Sequence, residues 1–139
     1  MSKFTACARS IDGSLRHAVD VNGRHFLVTD LPSSLGGANA GPAPHELLAA
    51  TFASCVSTMV VFYGQSRNLN LDGVTVDVHY DADVTPRHFE TTVRLPAGLN
   101  RRETESLRRV VETCPVRRAL GAGFTFRERL LVNDRALAA

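Results

Sequence analysis

The chain has 139 residues, 44% of them hydrophobic and 22% charged, which suits one globular domain (1–139) with a core of its own. Sixteen basic against fourteen acidic residues give a net charge of +2, too balanced to indicate nucleic acid, and with no tryptophan and two tyrosines the platforms on which single strands stack are missing. No run of about 18 consecutive apolar residues occurs, so no membrane span is expected. The amino-terminal "MSKFTACARSIDGS" has no apolar stretch of signal-peptide kind, so the cytoplasm is the expected compartment.

In chain order, "SLRHAVDV" (14–21) and "RHFLVTD" (24–30) are β-prone runs joined by Asn22-Gly23, a hairpin signal. Residues 31–44, with three prolines and three glycines, read as a loop. Pro44 suits the first position of a helix and Glu46 its first turn. The segment 44–66, "PHELLAATFASCVSTMVVFYGQS", holds no breaker before Gly64 and is apolar nearly all round, so it predicts a long helix buried on most sides. So apolar a helix needs more cover than one small chain supplies, which points to a dimer.

Residues 74–81 alternate, with Val74, Val76, Val78 and Tyr80 on one face, and 88–95 do the same with Phe89, Thr91, Val93 and Leu95; both read as half-buried antiparallel strands. Residues 99–114 predict an amphipathic helix capped by Asn100 with Glu103 three residues on, its inward stripe Leu107, Val110, Val111 and Cys114. Pro115 stops that helix. "FTFRERLLV" (124–132) reads as a last strand. The order is β-β, long helix, β-β, amphipathic helix, β, an α+β class.

Three cysteines, Cys7, Cys55 and Cys114, are too few and too far apart for a disulfide framework in a reducing compartment. Each can be a small buried filler, and for Cys7 that is the preferred account. Cys55 in the long helix and Cys114 at the end of the other meet if the two helices pack, and would then form a reversible redox couple. The arginines Arg16, Arg24, Arg117 and Arg118 read as solvated charges, although an arginine near Cys55 would lower its pKa. The five histidines show no metal spacing, and no phosphate-loop, dinucleotide or hydrolase motif occurs.

The stretch "LGGANAGPAPHELLAATFASC" (35–55) and the element "CPVRRAL" (114–120), with nine residues from Glu46 to Cys55 and 59 from Cys55 to Cys114, resemble the OsmC/Ohr family of thiol-dependent peroxidases over roughly residues 12–132. The resemblance implies two antiparallel sheets around two central helices in an interlocked homodimer. It implies a peroxidase of oxidative or osmotic stress defence that needs no cofactor and no metal. Cys55 would attack an organic hydroperoxide and become a sulfenic acid, Cys114 would resolve it to a disulfide, and an external dithiol would reduce that bond. Glu46 and an arginine, Arg16 or else Arg24, would activate Cys55.

Nine residues of helix put Glu46 and Cys55 on opposite sides and roughly 13 Å apart, so a Glu46 acting at Cys55 is expected to come from the partner subunit. Phe52, Met59, Val60 and Phe62 would make an apolar site favouring organic hydroperoxides over hydrogen peroxide. The alternatives are a binding module of the same fold, with inert cysteines and an apolar small molecule as ligand, and a cysteine hydrolase whose base histidine the sequence does not single out.

Overall fold

The computed structural model describes residues 3–136 and is α+β. Strands β1 (Ala6–Ser10), β2 (His17–Val21) and β3 (His25–Thr29) form an antiparallel sheet in the order β1-β2-β3. The β2–β3 turn is the expected one, with positive φ at Asn22 (55°) and Gly23 (66°), the pair of left-handed residues that a tight hairpin requires. Strand β1 is unanticipated. It pairs with β2 through a second turn, again with positive φ, at Asp12-Gly13. All five of its residues are exposed, so no buried alternation marks it.

A short 3₁₀ turn (Ser33–Leu35) begins the loop to helix α1 (Pro44–Ser66). The loop is folded around Asp30, one of the few buried polar side chains (1% exposed). One carboxylate oxygen accepts the Leu31 N–H at 2.8 Å, and the other accepts the N–H groups of Ala38 and Ala40 at 3.0 Å each. Two glycines lie where backbone comes too close for any side chain: a Cβ at Gly37 would strike the Leu31 carbonyl, and one at Gly41 the Val28 carbonyl.

Helix α1 starts at Pro44, and the Glu46 carboxylate accepts the Ala43 N–H at 2.8 Å. Its buried residues are Phe52, Val56, Val60 and Gly64, one stripe at four-residue spacing. The expectation of burial on most sides is therefore corrected. Leu48 is 38% exposed and Phe62 67%, because one chain has elements enough to cover only one face of α1. By length and composition α1 is also apolar enough to cross a membrane, a measure that averages over its small polar residues rather than requiring an unbroken apolar run. The same measure passes the core helices of water-soluble domains, and the buried stripe here packs against the chain's own β4, α2 and α3.

Strands β4 (Thr75–Asp81) and β5 (His88–Arg94) pair in antiparallel register with alternating burial, as expected from their pattern. Their inner face sets Val76 opposite Val93, Val78 opposite Thr91 and Tyr80 opposite Phe89. Phe89 stacks on Tyr80 at 4.8 Å and meets Phe52 of α1 edge-on at 5.3 Å, which joins sheet to helix. Helix α2 (Arg101–Glu112) has the reciprocal cap: the Asn100 side chain accepts the Glu103 N–H at 2.9 Å, and the Glu103 carboxylate accepts the Asn100 N–H at 2.8 Å.

Two expectations at the carboxyl end are corrected. The helix does not run to Cys114. It ends at Glu112, and a further helix, α3 (Pro115–Ala122), begins at Pro115, which starts an element rather than merely stopping one. The expected strand over 124–132 is absent for most of its length, because nothing before Leu131 in it pairs with β1–β5. Only β6 (Leu131–Val132) forms, as a small ladder with β7 (Arg135–Ala136). Phe124 and Phe126 are left 60% and 78% exposed.

The Asp30 carboxyl titrates below its ordinary value, chiefly through the Ala40 N–H, against desolvation and with help from Leu31, Ala38 and the Arg16 charge. A depressed folded-state pKa gives stability that is full above the unfolded-state value and lost as pH falls through the folded one. Asp30→Asn should therefore lower the thermal midpoint at pH 7 and flatten the acid limb below about pH 4, where the ordinary aspartate value lies. Parallel melts of both proteins from pH 7 to pH 3 check this.

Candidate active site

Cys55 sits at mid-length in α1, one turn beyond Phe52 and beside the buried stripe. Cys114 is the residue between α2 and α3, with φ −51° and ψ 129°, the extended conformation that a following proline imposes. Leu107 is buried and Val111 half-buried on the face of α2 that leads to it, and Cys114 itself is fully buried. Packing of α1 against α2 and α3 brings the two sulfurs to 3.0 Å, as free thiols. A disulfide needs a further approach of about 1 Å, to ~2.05 Å.

The two thiols are not equivalent. Cys55 is partly exposed, whereas Cys114 is 0% exposed. Burial, above all, pushes the Cys55 thiol above its ordinary value, and the neighbouring Cys114 side chain adds to that. The Val116 N–H, in the first turn of α3, acts in the opposite direction. Pro115 has no N–H of its own, so Val116 is the first residue of α3 with a donor to offer.

The other site residues expected from the sequence lie elsewhere in the chain. Glu46 is exposed at the start of an unbroken α1, hydrogen-bonded to its own cap, and nine residues of intact helix separate it from Cys55. Arg16 lies just before β2, where its charge acts on Asp30, and Arg24 lies in the β2–β3 turn, exposed. The main packing partners of α1 are β4, α2 and α3, and the three-stranded sheet that carries both arginines is not among them. Cys7 is exposed on β1 and faces Asp20 of β2 across the ladder. Among the described residues no cluster of three or more histidine, cysteine or acidic side chains is placed to hold a metal ion.

An open groove of about 500 Å³ is lined by residues from α1, β5, α2 and α3, and neither Cys55 nor Cys114 is among them. Phe52 and Val111, which belong to the apolar cluster around the two cysteines, form part of its wall. Arg87, His88 and Arg117 also line it. None of these three residues was singled out as a site residue from sequence. The one available signal was Arg117, which falls three residues after Cys114 at the spacing of a helix turn. Of the expected apolar neighbours, Phe52 and Val60 are buried, Met59 is half-buried and Phe62 is exposed.

Comparison with known proteins places the chain. The family described as OsmC-like protein matches residues 36–129. Among solved structures, the chain is similar to an organic hydroperoxide resistance protein OsmC of Legionella pneumophila, at 26% identity and TM-score 0.58, covering 86% of this chain and 90% of that one. It is similar in fold to a candidate osmotic stress induced and detoxification response protein of Psychrobacter arcticus (21% identity, TM-score 0.70, 85% and 88% covered). The same holds for an OsmC-like hydroperoxide resistance protein of Jannaschia sp. CCS1 (24% identity, TM-score 0.56, 98% and 97% covered). No curated protein matches.

Two of the three influences that raise the Cys55 titration come from Cys114. Cys114→Ala should therefore move the pH midpoint of Cys55 alkylation downward. Iodoacetamide rates between pH 6 and 10, measured with Cys7→Ser in both proteins, check the direction.

Proposed function

This chain belongs to the OsmC-like family, and from that premise we propose that it is a two-cysteine thiol peroxidase that reduces organic hydroperoxides. The observation that carries the proposal is the 3.0 Å separation of Cys55 and Cys114 Sγ. Cys55, the partly exposed member, is the attacking sulfur. Its thiolate takes the terminal hydroperoxide oxygen, the O–O bond breaks, and the alkoxide leaves and picks up a proton as the alcohol. Cys114 then attacks the sulfenic sulfur, and the hydroxyl departs with the thiol proton as water. The resulting disulfide is returned to two thiols by an external dithiol, which leaves oxidised.

Within one chain the first step lacks its electrostatics, because burial raises the Cys55 thiol and, among the described residues, the Val116 N–H alone acts against it. A homodimer supplies what is missing. The open apolar face of α1, together with Phe26 at 75% exposure and Phe126 at 78%, is surface that a second copy covers. Glu46, with Arg16 or Arg24, then reaches Cys55 from the partner subunit, and the cation lowers the thiol pKa. We place this cycle in cytoplasmic stress defence. The raised Cys55 titration of the single chain favours a second account, a non-catalytic module that binds an apolar small molecule.

One equivalent of cumene hydroperoxide added to the reduced protein separates the two. The peroxidase should lose two hydrogens in intact mass and yield a Cys55–Cys114 peptide, and Cys55→Ser should lower turnover by about 10³ or more, as removal of a nucleophile does. Unchanged mass with both thiols free supports the binding module.

Subunit sharing has its own test. Mixed dimers of Cys55→Ser and Glu46→Gln chains should hold one intact site each and regain about half of the wild-type activity per dimer (an estimate from one site in two). A carboxylate acting within its own chain leaves no intact site, and the mixture stays at the level of its parents.

A further inference from the structure

The groove is lined by apolar residues together with Arg87 and Arg117, and the peroxide cycle proposed above uses neither cation. Arg87 comes from the β4–β5 loop and Arg117 from α3, so two separate elements deliver a guanidinium to one cleft. Each is anchored by a main-chain carbonyl rather than by an acid: Arg87 Nε donates to Ala82 O at 3.1 Å, and Arg117 Nη1 donates to Glu112 O at 3.0 Å. Among the described residues neither forms an ion pair, and no acidic side chain lines the groove. His88, a further polar residue of the lining, already faces the Glu90 carboxylate at 3.7 Å. Among the described residues Arg94, Arg108 and Arg109 form ion pairs, so lack of an acidic partner does not by itself set Arg87 and Arg117 apart; their shared place in one groove does.

Two held, unpaired guanidinium groups in one groove with apolar residues match a ligand with an apolar body and an anionic end. Phe52, Val111 and Leu120 supply the apolar contact, and a groove of about 500 Å³ lies within the range for small organic ligands. We infer that Arg87 and Arg117 are specificity-determining residues that select carboxylate-bearing organic hydroperoxides over neutral ones of the same size. Each anchor uses one N–H and leaves the other guanidinium N–H groups without a protein acceptor among the described residues, while Phe52 and Val111 belong both to the groove lining and to the apolar cluster that includes Cys55 and Cys114. The inference rests on the peroxidase reading for its substrate chemistry, but the anion site itself does not depend on turnover.

The test uses full-length protein and two probes that differ in one group, cumene hydroperoxide and its 4-carboxylate, with dithiothreitol as reductant at low salt. The ratio of their kcat/KM values, taken in one protein sample, is independent of the fraction correctly folded. The wild type should favour the carboxylate about tenfold, the scale of two partly exposed ion pairs, and the ratio should fall to about one in Arg87→Gln/Arg117→Gln. A wild-type ratio of one or less, or a ratio that the double variant leaves unchanged, overturns the inference. The alcohol products, 2-phenyl-2-propanol and its 4-carboxylate, are titrated in parallel into reduced protein and followed by NMR. Tighter binding of the carboxylate, lost in the double variant, upholds the anion site even where neither hydroperoxide oxidises Cys55, a result that would sink the peroxidase reading alone. Equal binding of the two alcohols removes the anion site.

Discussion

The buried stripe of α1, repeating from Phe52 through Val56 and Val60 to Gly64, is the surface from which the rest of the chain takes its position. The β4–β5 sheet lies against it through Phe89 on Phe52, and Leu71 packs on Gly64 where the chain turns back. Leu107 and Cys114 join the same cluster from the other helices. Because a helix is stiff, fixing this stripe also fixes Cys55, which lies one residue before Val56. The meeting of two sulfurs from residues 59 apart is thus a by-product of core packing. It needs no dedicated bond to bring it about.

That economy creates an opposition. The packing that brings Cys55 to Cys114 also withdraws it from water, and a withdrawn thiol is a poor thiolate. Peroxide chemistry needs the anion; resolution needs the neighbour. The chain provides the neighbour and a main-chain N–H. The groups that the proposed cycle calls on, Glu46 with Arg16 or Arg24, lie at the start of α1 and on the three-stranded sheet, which is not among the main packing partners of α1. Under the proposed cycle, a subunit by itself would be the slower peroxidase.

Much of the architecture was legible in the residues, and the exceptions share a cause. Helix α1 was found with its true limits, since Pro44 and Glu46 mark one end and a long apolar segment follows without interruption. The β4–β5 pair was legible because one face is buried and the other wet, which writes a period of two into the sequence. Strand β1 carries no such period, being exposed on every residue, although its Asp12-Gly13 turn was there to be read. Segment 124–132 has strand composition but joins neither of the two larger sheets, and pairing is not a property of composition. Helix α3 is hidden because a proline marks a stop and a start alike: Pro115 follows the end of α2 and opens α3, as Pro44 opens α1. At the site, residue identity pointed to Cys55 and Cys114, but the place of Arg87 and Arg117 depended on a loop and a helix that chain order does not bring together.

The loop wound on Asp30 has a consequence for how this sequence can vary. Its ties run to the N–H groups of Leu31, Ala38 and Ala40, and so to backbone that nearly every residue type possesses. Side-chain identity along most of residues 31–40 is therefore uncoupled from the loop's course, with Gly37, and Gly41 just beyond, held by lack of room. The chain carries there a stretch of surface whose chemistry can be rewritten at little structural cost, immediately ahead of the helix that bears Glu46 and Cys55. Divergence among related proteins could change what this face meets while the entry of α1 stays where one aspartate puts it.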